Sequence, residues 1–314
     1  MYSQTAVVIP CFKVKKKIKE VIDDSIKYAK FIIVVDDNCP QKTGHYVKKI
    51  YKNKKNLQII FNKKNLGVGG ATIAGLKWAL NNTKTKYLFK IDGDGQMEQK
   101  FIPKMRKCLL LKHDYVKGNR FQNYEFLKKM PFFRIFGNIL YSLLSKFSSG
   151  YYNIGDVHNG FIGIKSQICK KLIKNNISKR FFFEPDILFH LYKYSARIKE
   201  FSMPAVYKDE ESNINYFSAI TLFPIYYIKN FFKRILLVNI FKELSFISIL
   251  FLPSLLFFFH SLTFLYFNHK YFKSLGKETP NGVIMLGFME LLISLQIIIL
   301  FFIFDYLKSK RISS

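Results

Sequence analysis

Asp92 and Asp94 stand in a glycine-rich turn, Asp92-Gly-Asp-Gly-Gln96, directly after the apolar run Tyr87–Ile91. Two carboxylates one residue apart, followed by an amide, offer the hard oxygen ligands that Mg²⁺ and Mn²⁺ prefer. Such an ion is usually coordinated both by protein carboxylates and by the phosphates of a substrate diphosphate. An isolated Asp-x-Asp is often a solvated turn, so the metal interpretation depends on the elements that place this turn.

Four short apolar runs separated by helical patterns occupy the first hundred residues. They are Thr5–Ile9, Phe31–Val35, Gln58–Phe61 and Tyr87–Ile91, with helices expected at about 15–30 and 70–80. This alternation predicts an α/β fold with a parallel sheet covered on both faces, and Pro10 is expected to end the first strand. Ligands of such sheets bind beyond the carboxyl ends of the strands, where Asp36, Asp37 and Asp92 lie.

A glycine-rich segment, Asn65 to Gly75, leads from the third strand into a helix. It lacks the Gly-Lys-Ser/Thr ending of the P-loop that binds nucleotide phosphates. It also departs from the Gly-x-Gly-x-x-Gly dinucleotide-binding fingerprint, because Thr72 stands at the third glycine position. Small residues such as Gly69 still let a nucleotide or its phosphates approach the backbone closely. A tight strand-to-helix turn explains the segment equally well.

Two long apolar segments lie near the carboxyl terminus. Residues 244–267 contain no Asp, Glu, Lys or Arg, and residues 281–304 contain only Glu290. Each exceeds the roughly 20 residues needed to cross a hydrocarbon core, so a membrane hairpin is favoured over two buried core helices. His260 and Glu290 would lie inside the hairpin, where ionisable groups usually face a partner, and we expect a hydrogen bond between them.

Basic residues flank this hairpin. Lys229, Lys233, Arg234 and Lys242 precede it, Lys308, Lys310 and Arg311 follow it, and Lys270, Lys273 and Lys277 lie in the connecting loop. The excess outside the loop predicts that the residues before the hairpin are cytoplasmic. No signal peptide is expected, because the chain opens directly into a strand. Residues 216–236 mix aromatics with basic residues, which fits either an amphipathic segment on anionic headgroups or a helix packed on the soluble domain.

The composition limits the class of protein. Hydrophobic residues make up 49% and aromatics 17% of the 314 residues, which excludes a disordered basic tail protein. The formal charge of +29 fits either a polyanionic partner or a lysine-rich solvated surface. No basic stripe interleaved with aromatics marks a nucleic-acid module, so no nucleic-acid partner is expected. Four scattered cysteines argue against disulfides or a zinc site and favour a reducing compartment.

Several motifs together resemble the family-2 glycosyltransferases. In chain order they are Val8-Ile-Pro-Cys-Phe12, Val34-Val-Asp-Asp-Asn38, the Asn65 to Gly75 loop, Asp92-Gly-Asp-Gly-Gln96 and Gly118-Asn-Arg120. Within that family, Asp156-Val-His-Asn-Gly-Phe161 and the hairpin are similar to elements of the polyprenyl-phosphate, dolichol-phosphate-mannose-synthase-like members. The resemblance covers essentially the whole chain.

The resemblance implies a GT-A fold and an inverting, metal-dependent hexosyltransferase that uses a nucleotide diphosphate sugar. On the family pattern, Pro10 and Asp37 line the nucleoside pocket, and Asp92 contacts the donor beside the loop that contains Gly69. One departure affects the nucleoside pocket, because Lys13 stands where the family often has Asn.

The family pattern also implies the metal ligands and the acceptor. Asp94 and Gln96 would bind Mg²⁺ or Mn²⁺, and Arg120 and Arg134 would hold the phosphate of a polyprenyl phosphate. Many relatives carry a further Arg-Tyr pair near the end of the domain, whereas this chain has Val206-Tyr207-Lys208. Lys208 is a candidate substitute for the missing arginine, although a lysine does not bind phosphate through two parallel hydrogen bonds as arginine does.

A hydroxyl acceptor would need a general base, whereas an ionised lipid phosphate needs positioning and charge neutralisation. Asp156, Glu184 and Asp186 are the candidates for acceptor contact or base. The structural alternative is that Asp186 opens a helix and that Glu184 pairs with a nearby lysine. For Arg120, the alternative is an ion pair with an acid such as Asp114 or Asp156.

The leading hypothesis is an enzyme of the inner membrane that makes an undecaprenyl-type polyprenyl-phosphate sugar for the cell envelope. The alternatives are a transferase acting on a hydroxyl of a lipid-linked saccharide or envelope glycan, and a basic membrane-associated nucleic-acid or scaffold protein. The expected segments are a catalytic domain (1–215), an interface segment (216–243), membrane helices (244–267 and 281–304) joined by a loop (268–280), and a basic cytoplasmic tail (305–314).

Overall fold

The structure is a computed structural model that describes residues 2–121, 132–204 and 216–313, with side-chain surroundings for all of these except 132–134, 216–220 and 313. The chain divides into two compact units, Met1–Asn230 with Ile312–Ser314, and Phe231–Arg311. The first unit contains the predicted sheet, and the second contains both long apolar helices. The division falls within the segment that was expected to link the catalytic domain to the hairpin.

A seven-stranded sheet forms the centre of the first unit. Its strands are β1 (Thr5–Cys11), β2 (Phe31–Asp36), β3 (Leu57–Phe61), β4 (Tyr87–Lys90), β5 (Tyr115–Asn119), β6 (Ile162–Lys165) and β7 (Ile198–Ser202). The order is β3-β2-β1-β4-β6-β5-β7, in which β6 is antiparallel to both neighbours and all other pairs are parallel. The prediction of a mostly parallel α/β sheet is confirmed.

Helices connect these strands. In the first unit they are α1 (Ile18–Ser25), α2 (Thr43–Ile50), α3 (Gly67–Asn82), α4 (Ile102–Leu111), α5 (Phe132–Ser149), α6 (Ser166–Leu172) and α7 (Phe183–Lys193). Strands β1 and β4 are buried at every residue, so both faces of the central sheet are covered. Helix α1 is shorter than expected, and α3 begins earlier, within the glycine-rich segment.

Pro10 does not end the first strand, contrary to expectation. Strand β1 pairs with β2 through Cys11, whereas its pairing with β4 stops at Val8. The hydrogen bonds of β1 alternate between its neighbours, because the oxygen of Val8 accepts from Ile91 and that of Cys11 accepts from Asp37. This alternation turns Pro10 toward the β4 side, beyond the last paired residue. The missing N–H of proline therefore leaves no ladder bond unmade.

Helix α8 (Tyr216–Arg234) packs one face onto the first unit and exposes another. Phe223 and Tyr227 lie against the ring of Phe182. On the other side, Leu222 and Ile225 are 42% and 57% exposed. The helix-packing interpretation of residues 216–236 therefore holds for one face, and the exposed face has the apolar character expected of an interfacial helix.

The second unit contains α9 (Phe246–Ser274) and α10 (Asn281–Ser313), which are both long and apolar enough to cross a membrane. Large apolar side chains such as Leu256 and Met285 are exposed on them. Helix α9 extends into the expected connecting loop, and α10 continues through the residues that were expected to form a basic tail. Both helices are thus longer than the apolar segments that identified them.

Side-chain contacts join elements within the second unit, and two of them bear on the sequence predictions. Nη1 and Nη2 of Arg234 donate to the carboxylate of Asp305 at 2.6 and 2.8 Å. Both side chains are buried. Arg234 was expected among the basic residues that flank the hairpin, and the structure shows that its side chain is buried within the second unit. Nδ1 of His260 lies 2.8 Å from Oε1 and 3.0 Å from Oε2 of Glu290, so the predicted His260–Glu290 hydrogen bond is confirmed.

Candidate donor and acceptor site

The carboxyl ends of β1, β2 and β4 meet at one edge of the sheet, as their register requires. Pro10 lies near the carboxyl end of β1, level with Val35 of β2 in the register. Asp37 directly follows β2, and Asp92 lies two residues beyond β4. The structure therefore brings these three predicted donor residues to the same edge. Their contacts with a nucleotide stay predictions.

The carboxylate of Asp37 binds the beginning of α3. Its Oδ1 accepts the N–H of Leu66 at 2.9 Å, its Oδ2 accepts the N–H of Gly67 at 2.8 Å, and Asn62 donates to Oδ1 at 2.7 Å. The first N–H groups of a helix have no partner within the helix, and Asp37 satisfies them here. A phosphate would find these donors already bonded, which favours the tight-turn interpretation of the glycine-rich segment.

Gly69 faces the first turn of α7. A Cβ at this position would lie 2.6 Å from the ring of Phe183 and 2.7 Å from the carbonyl oxygen of Ser178. Close packing between α3 and α7 therefore requires a glycine here. Its predicted part in binding the donor stays a prediction, since the packing alone explains the residue.

Lys13 occupies a conformation that suits the asparagine it replaces. Its φ is +59°, in the left-handed region where Asn and Gly are the favoured residues. Its backbone N–H donates to Sγ of Cys39 at 3.1 Å. The departure from the family pattern thus leaves a backbone conformation that asparagine would favour and changes the side chain three residues after Pro10.

Asp92 forms an ion pair with a lysine that the sequence analysis did not identify. Nζ of Lys90 lies 2.8 Å from Oδ1 of Asp92 and 3.3 Å from Oε1 of Glu184, and Lys90 is only 1% exposed. Burial acts to lower the pKa of Lys90, but the charges of Asp92 and Glu184 outweigh it and raise that pKa. Glu184 thus pairs with a lysine, as the structural alternative predicted.

Gly160 lies directly against this ion pair. A Cβ on Gly160 would lie 2.4 Å from Nζ of Lys90 and 2.6 Å from Oδ2 of Asp92. The position therefore excludes any side chain as long as the ion pair is in place. The Asp156 to Phe161 element thus reaches the predicted donor carboxylate through its glycine.

Asp94 closes a turn with Gln96, whose N–H donates to Oδ1 of Asp94 at 3.0 Å. Gly95 between them has a φ of +76°, which glycine adopts without steric strain. The side chains of Asp92, Asp94 and Gln96 are half-buried. The metal ligands that they offer are carboxylate and amide oxygens. Among the described residues, no group of three or more His, Cys, Asp or Glu could hold a metal by itself. This donor set fits Mg²⁺ or Mn²⁺ that completes its shell with substrate phosphates.

Arg120 binds Asp156 through two parallel hydrogen bonds. Nε donates to Oδ2 at 2.7 Å and Nη2 to Oδ1 at 2.8 Å, and the backbone N–H of Arg120 donates to Oδ2 at 3.0 Å. Asp156 is fully buried, whereas the Arg120 side chain is 25% exposed. Burial acts to raise the pKa of Asp156, but Arg120 outweighs it, so the pKa is lowered and the carboxylate stays ionised.

Two buried charged residues form hydrogen bonds with the backbone of residues 155–157. Lys117 is fully buried, and its Nζ donates to the carbonyl oxygens of Asp156 and Val157. Glu200 accepts the N–H groups of Gly155 at 2.9 Å and Asp156 at 3.1 Å. Burial lowers the pKa of Lys117 and raises that of Glu200. The loop that presents Asp156 is therefore held by strands β5 and β7.

His158 lies within the same element, between aromatic rings. Its ring centroid is 5.5 Å from that of Tyr141 and 5.8 Å from that of Phe223, and its buried Nε2 has no hydrogen-bond partner among the described residues. Burial, followed by the charge of Lys117, lowers the pKa of His158 to about 4. The imidazole is therefore neutral at physiological pH.

The remaining predicted residues are placed as follows. Asp186 lies in the first turn of α7, which begins at Phe183, so it stands near the start of a helix as the structural alternative predicted but does not cap it. Its carboxylate accepts hydrogen bonds from the N–H of Ser178 at 2.7 Å and from Nδ2 of Asn230 at 2.9 Å. Arg134 lies in α5, but its side chain is outside the described part of the structure. Lys208 also lies outside the described residues. Their predicted roles at the acceptor phosphate stay predictions.

Sequence reasoning missed Lys90, Lys117 and Glu200, which hold the site together. Each is a charged residue in a strand, within Tyr87–Lys90, Tyr115–Asn119 or Ile198–Ser202. A charged residue in a central strand is costly unless it is paired, so the lysine that ends the apolar run before Asp92 was a usable signal. No comparable signal identifies the partners of Lys117 and Glu200, which lie far away in the chain.

Residues 6–173 match the model of the family described as Glycosyl transferase family 2, and this match spans more than half of the chain. The chain belongs to that family. The family predicted from the motifs is thereby confirmed.

Two relatives act on lipid phosphates according to their names. The UDP-N-acetylglucosamine–dolichyl-phosphate N-acetylglucosaminyltransferase of Methanococcus voltae is 27% identical over 216 residues, covering 64% of this chain and 85% of the relative. The undecaprenyl-phosphate mannosyltransferase of Micrococcus luteus is 24% identical over 186 residues, covering 57% and 72%.

A solved structure supports the fold. Glucosyl-3-phosphoglycerate synthase from Mycobacterium tuberculosis, in complex with Mn²⁺, UDP and glucosyl-3-phosphoglycerate, has a TM-score of 0.53 at 15% identity, covering 74% of this chain and 80% of that one. At this identity the likeness establishes the fold alone. The predicted GT-A-like architecture is confirmed.

Proposed function

We propose that this family-2 glycosyltransferase moves a sugar from a nucleotide diphosphate sugar to an undecaprenyl-type polyprenyl phosphate at the cytoplasmic face of the inner membrane. The named activities of the two relatives support a lipid phosphate as acceptor. The two helices of membrane-spanning length support a membrane location. The distribution of basic residues around these helices supports the cytoplasmic side.

The donor in this proposal lies at the carboxyl edge of β1, β2 and β4. Pro10 and Asp37 contact the nucleoside, while Asp92 orients the sugar diphosphate. Mg²⁺ or Mn²⁺ held by Asp94 and Gln96 would neutralise the charge that develops on the departing diphosphate. The Mn²⁺ and UDP in the similar synthase structure support this choice of ligands.

The acceptor reaction follows from the chemistry of a phosphate. An oxygen of the lipid phosphate attacks the anomeric carbon, the bond from that carbon to the diphosphate breaks, and the electron pair leaves with the nucleotide. The configuration at carbon inverts. No proton has to be removed, because the phosphate is already ionised. Arg120 and Arg134 supply charge-assisted hydrogen bonds that position it.

The observation that carries this acceptor assignment is that all three candidate bases are engaged. Asp156 binds Arg120, Glu184 binds Lys90, and Asp186 accepts two hydrogen bonds. A general base must also reach the acceptor proton, and Asp156, Glu184 and Asp186 are all buried. The engaged carboxylates favour a phosphate over the alternative, a hydroxyl of a lipid-linked saccharide or envelope glycan.

Helix α5 supports access of a lipid to this site. Phe136, Ile139, Leu140 and Leu143 lie at one helix face and are 45–62% exposed. Ser142 on the same helix donates its hydroxyl to the carbonyl oxygen of Gly155, directly before Asp156. A helix that contacts the residue before Asp156 and exposes an apolar face suits a substrate with a charged head and an apolar chain.

The test is transfer by membranes that carry the protein. The membranes are incubated with Mn²⁺ or Mg²⁺, undecaprenyl phosphate and a panel of labelled nucleotide sugars, beside membranes that carry Asp94→Ala. We expect label from one donor in the organic phase, with the wild type only. Label that appears only in a lipid-linked saccharide or an envelope glycan would favour the alternative, which is transfer to a sugar hydroxyl.

A further inference from the structure

Lys90 connects the predicted donor carboxylate to α7. Its Nζ lies 2.8 Å from Oδ1 of Asp92 and 3.3 Å from Oε1 of Glu184. The side chains become more exposed toward the edge of the sheet, from 1% for Lys90 and 8% for Glu184 to 28% for Asp92. One oxygen of Asp92 thus faces a buried cation, while the carboxylate keeps an accessible surface.

The surroundings allow little freedom for this ion pair. Gly160 approaches so closely that a Cβ there would lie 2.4 Å from Nζ of Lys90 and 2.6 Å from Oδ2 of Asp92. The segment that contains Gly160 begins with Asp156, which binds Arg120. A single short segment therefore touches both the predicted donor carboxylate and the predicted acceptor arginine.

We infer that Lys90 is a positioning residue, which fixes the direction in which the carboxylate of Asp92 meets the donor. The inference rests on the donor role proposed for Asp92. The terminal torsion of an aspartate is broad, and an ion pair formed before the donor arrives removes that freedom in advance. Glu184 completes the arrangement, because one cation between two carboxylates leaves a net negative charge. Asp92 therefore remains a hydrogen-bond acceptor or metal ligand although it is paired.

A purely structural ion pair would behave differently. Its loss would lower the free energy of unfolding, whereas the folded protein would bind the donor as before. A positioning role predicts loss of donor affinity in protein that remains folded. It also predicts that the effects of removing Lys90 and Asp92 overlap, because both act through the same carboxylate.

The experiment compares Lys90→Met, Asp92→Asn and their combination in the purified full-length protein. Binding of Mn²⁺ with UDP or GDP, whichever binds the wild type, is measured by calorimetry beside the unfolding midpoint. We expect each single variant to bind at least about tenfold more weakly, and the combination to bind no more than about threefold more weakly than either. Lys165→Met is the control, because it loses an ion pair with Asp114 at the far end of β4 and β6.

Three outcomes overturn the inference. Wild-type affinity in Lys90→Met, or fully additive losses, would reduce Lys90 to a structural residue while Asp92 keeps its role. Unchanged affinity in Asp92→Asn would instead remove the donor role and the inference with it. If Lys90→Met alone does not fold, Lys90→Met with Glu184→Gln avoids the unpaired buried carboxylate, and the same weakening is expected.

Discussion

Arg120 and Asp156 form a two-point ion pair, with 2.7 Å from Nε to Oδ2 and 2.8 Å from Nη2 to Oδ1. The sequence offered this pairing as the alternative to a phosphate-binding arginine. The Arg120 side chain is 25% exposed, whereas Asp156 is fully buried. The pair fixes the plane of the guanidinium in a partly exposed position, so an ion pair and a phosphate contact can coexist.

The first prediction concerns this arginine. Arg120→Lys should lower turnover of a lipid phosphate acceptor by about 10- to 100-fold. A lysine keeps the charge, but it cannot bind Asp156 through two parallel hydrogen bonds and so cannot hold its charge in the same place beside the phosphate. Donor affinity should stay close to that of the wild type. Calorimetry with the nucleotide sugar beside lipid-phosphate turnover measures both quantities. Arg134→Ala should behave in the same way.

Arg120→Ala should also lower the unfolding midpoint, because it leaves the buried carboxylate of Asp156 unpaired. Arg120→Ala combined with Asp156→Asn removes that charge and should restore stability without restoring turnover. Unchanged turnover in both Arg120→Ala and Arg134→Ala would contradict the phosphate-acceptor assignment and favour a hydroxyl acceptor.

The second prediction concerns the metal ligand. Asp94→Ala should abolish measurable transfer while the unfolding midpoint changes little, because the residue lies in a half-buried turn outside the core. Turnover is titrated with Mn²⁺ and Mg²⁺. Glu98→Ala is the control, since it removes a carboxylate of the same loop that pairs with Lys100. Near-normal turnover in Asp94→Ala, with metal still required, would remove Asp94 from the site.

The third prediction concerns pH and His158. Its pKa of about 4 in the folded protein lies below the ordinary value of 6.5, so between these values the unfolded chain binds the extra proton. Stability from this group is therefore complete above about pH 6.5 and is lost as the pH falls toward 4, by up to about 3 kcal/mol. His158→Phe keeps an aromatic ring beside Tyr141 and Phe223 and should lessen that loss. Equal slopes of unfolding midpoint against pH in both proteins would exclude the effect.

The fourth prediction concerns the helical hairpin. Glu290→Gln weakens the contact with His260, and we expect the unfolding midpoint in detergent to fall by the equivalent of about 0.6–2 kcal/mol. Glu278→Gln, at an exposed position in the connection between the helices, is the matched control and should be neutral. If Glu290→Gln leaves both stability and activity unchanged, the hydrogen bond has no structural role.

The parts of the fold that sequence predicts are those with local signals. The apolar runs at β1 to β4 and the acids at their ends identified one half of the sheet, because strand burial and its carboxyl edge are read directly from short patterns. Strands β5, β6 and β7 were not predicted, and in β5 and β7 the charged residues Lys117 and Glu200 interrupt the apolar pattern. These residues are buried because distant backbone groups of residues 155–157 bind them, which no local pattern reveals.

The candidate site divides in the same way. Residue type and spacing indicated that Asp92 and Asp94 suit a metal and a diphosphate. The pairing of Asp92 with Lys90 was not predicted, because it depends on Gly160 and Glu184 arriving from other parts of the chain. Asp37 shows the same limit, since its position suggested the nucleoside contact that is proposed for it but not the hydrogen bonds that its carboxylate accepts from the start of α3.

The most direct measurement of the central claim compares two acceptors that differ only in the phosphate. Purified protein is incubated with the labelled nucleotide sugar found in the donor panel, Mn²⁺, and either undecaprenyl phosphate or undecaprenol in the same detergent. We expect labelled lipid with undecaprenyl phosphate only, and no transfer by Asp94→Ala. Equal transfer to undecaprenol, or transfer to neither lipid with transfer to a saccharide hydroxyl, would contradict it.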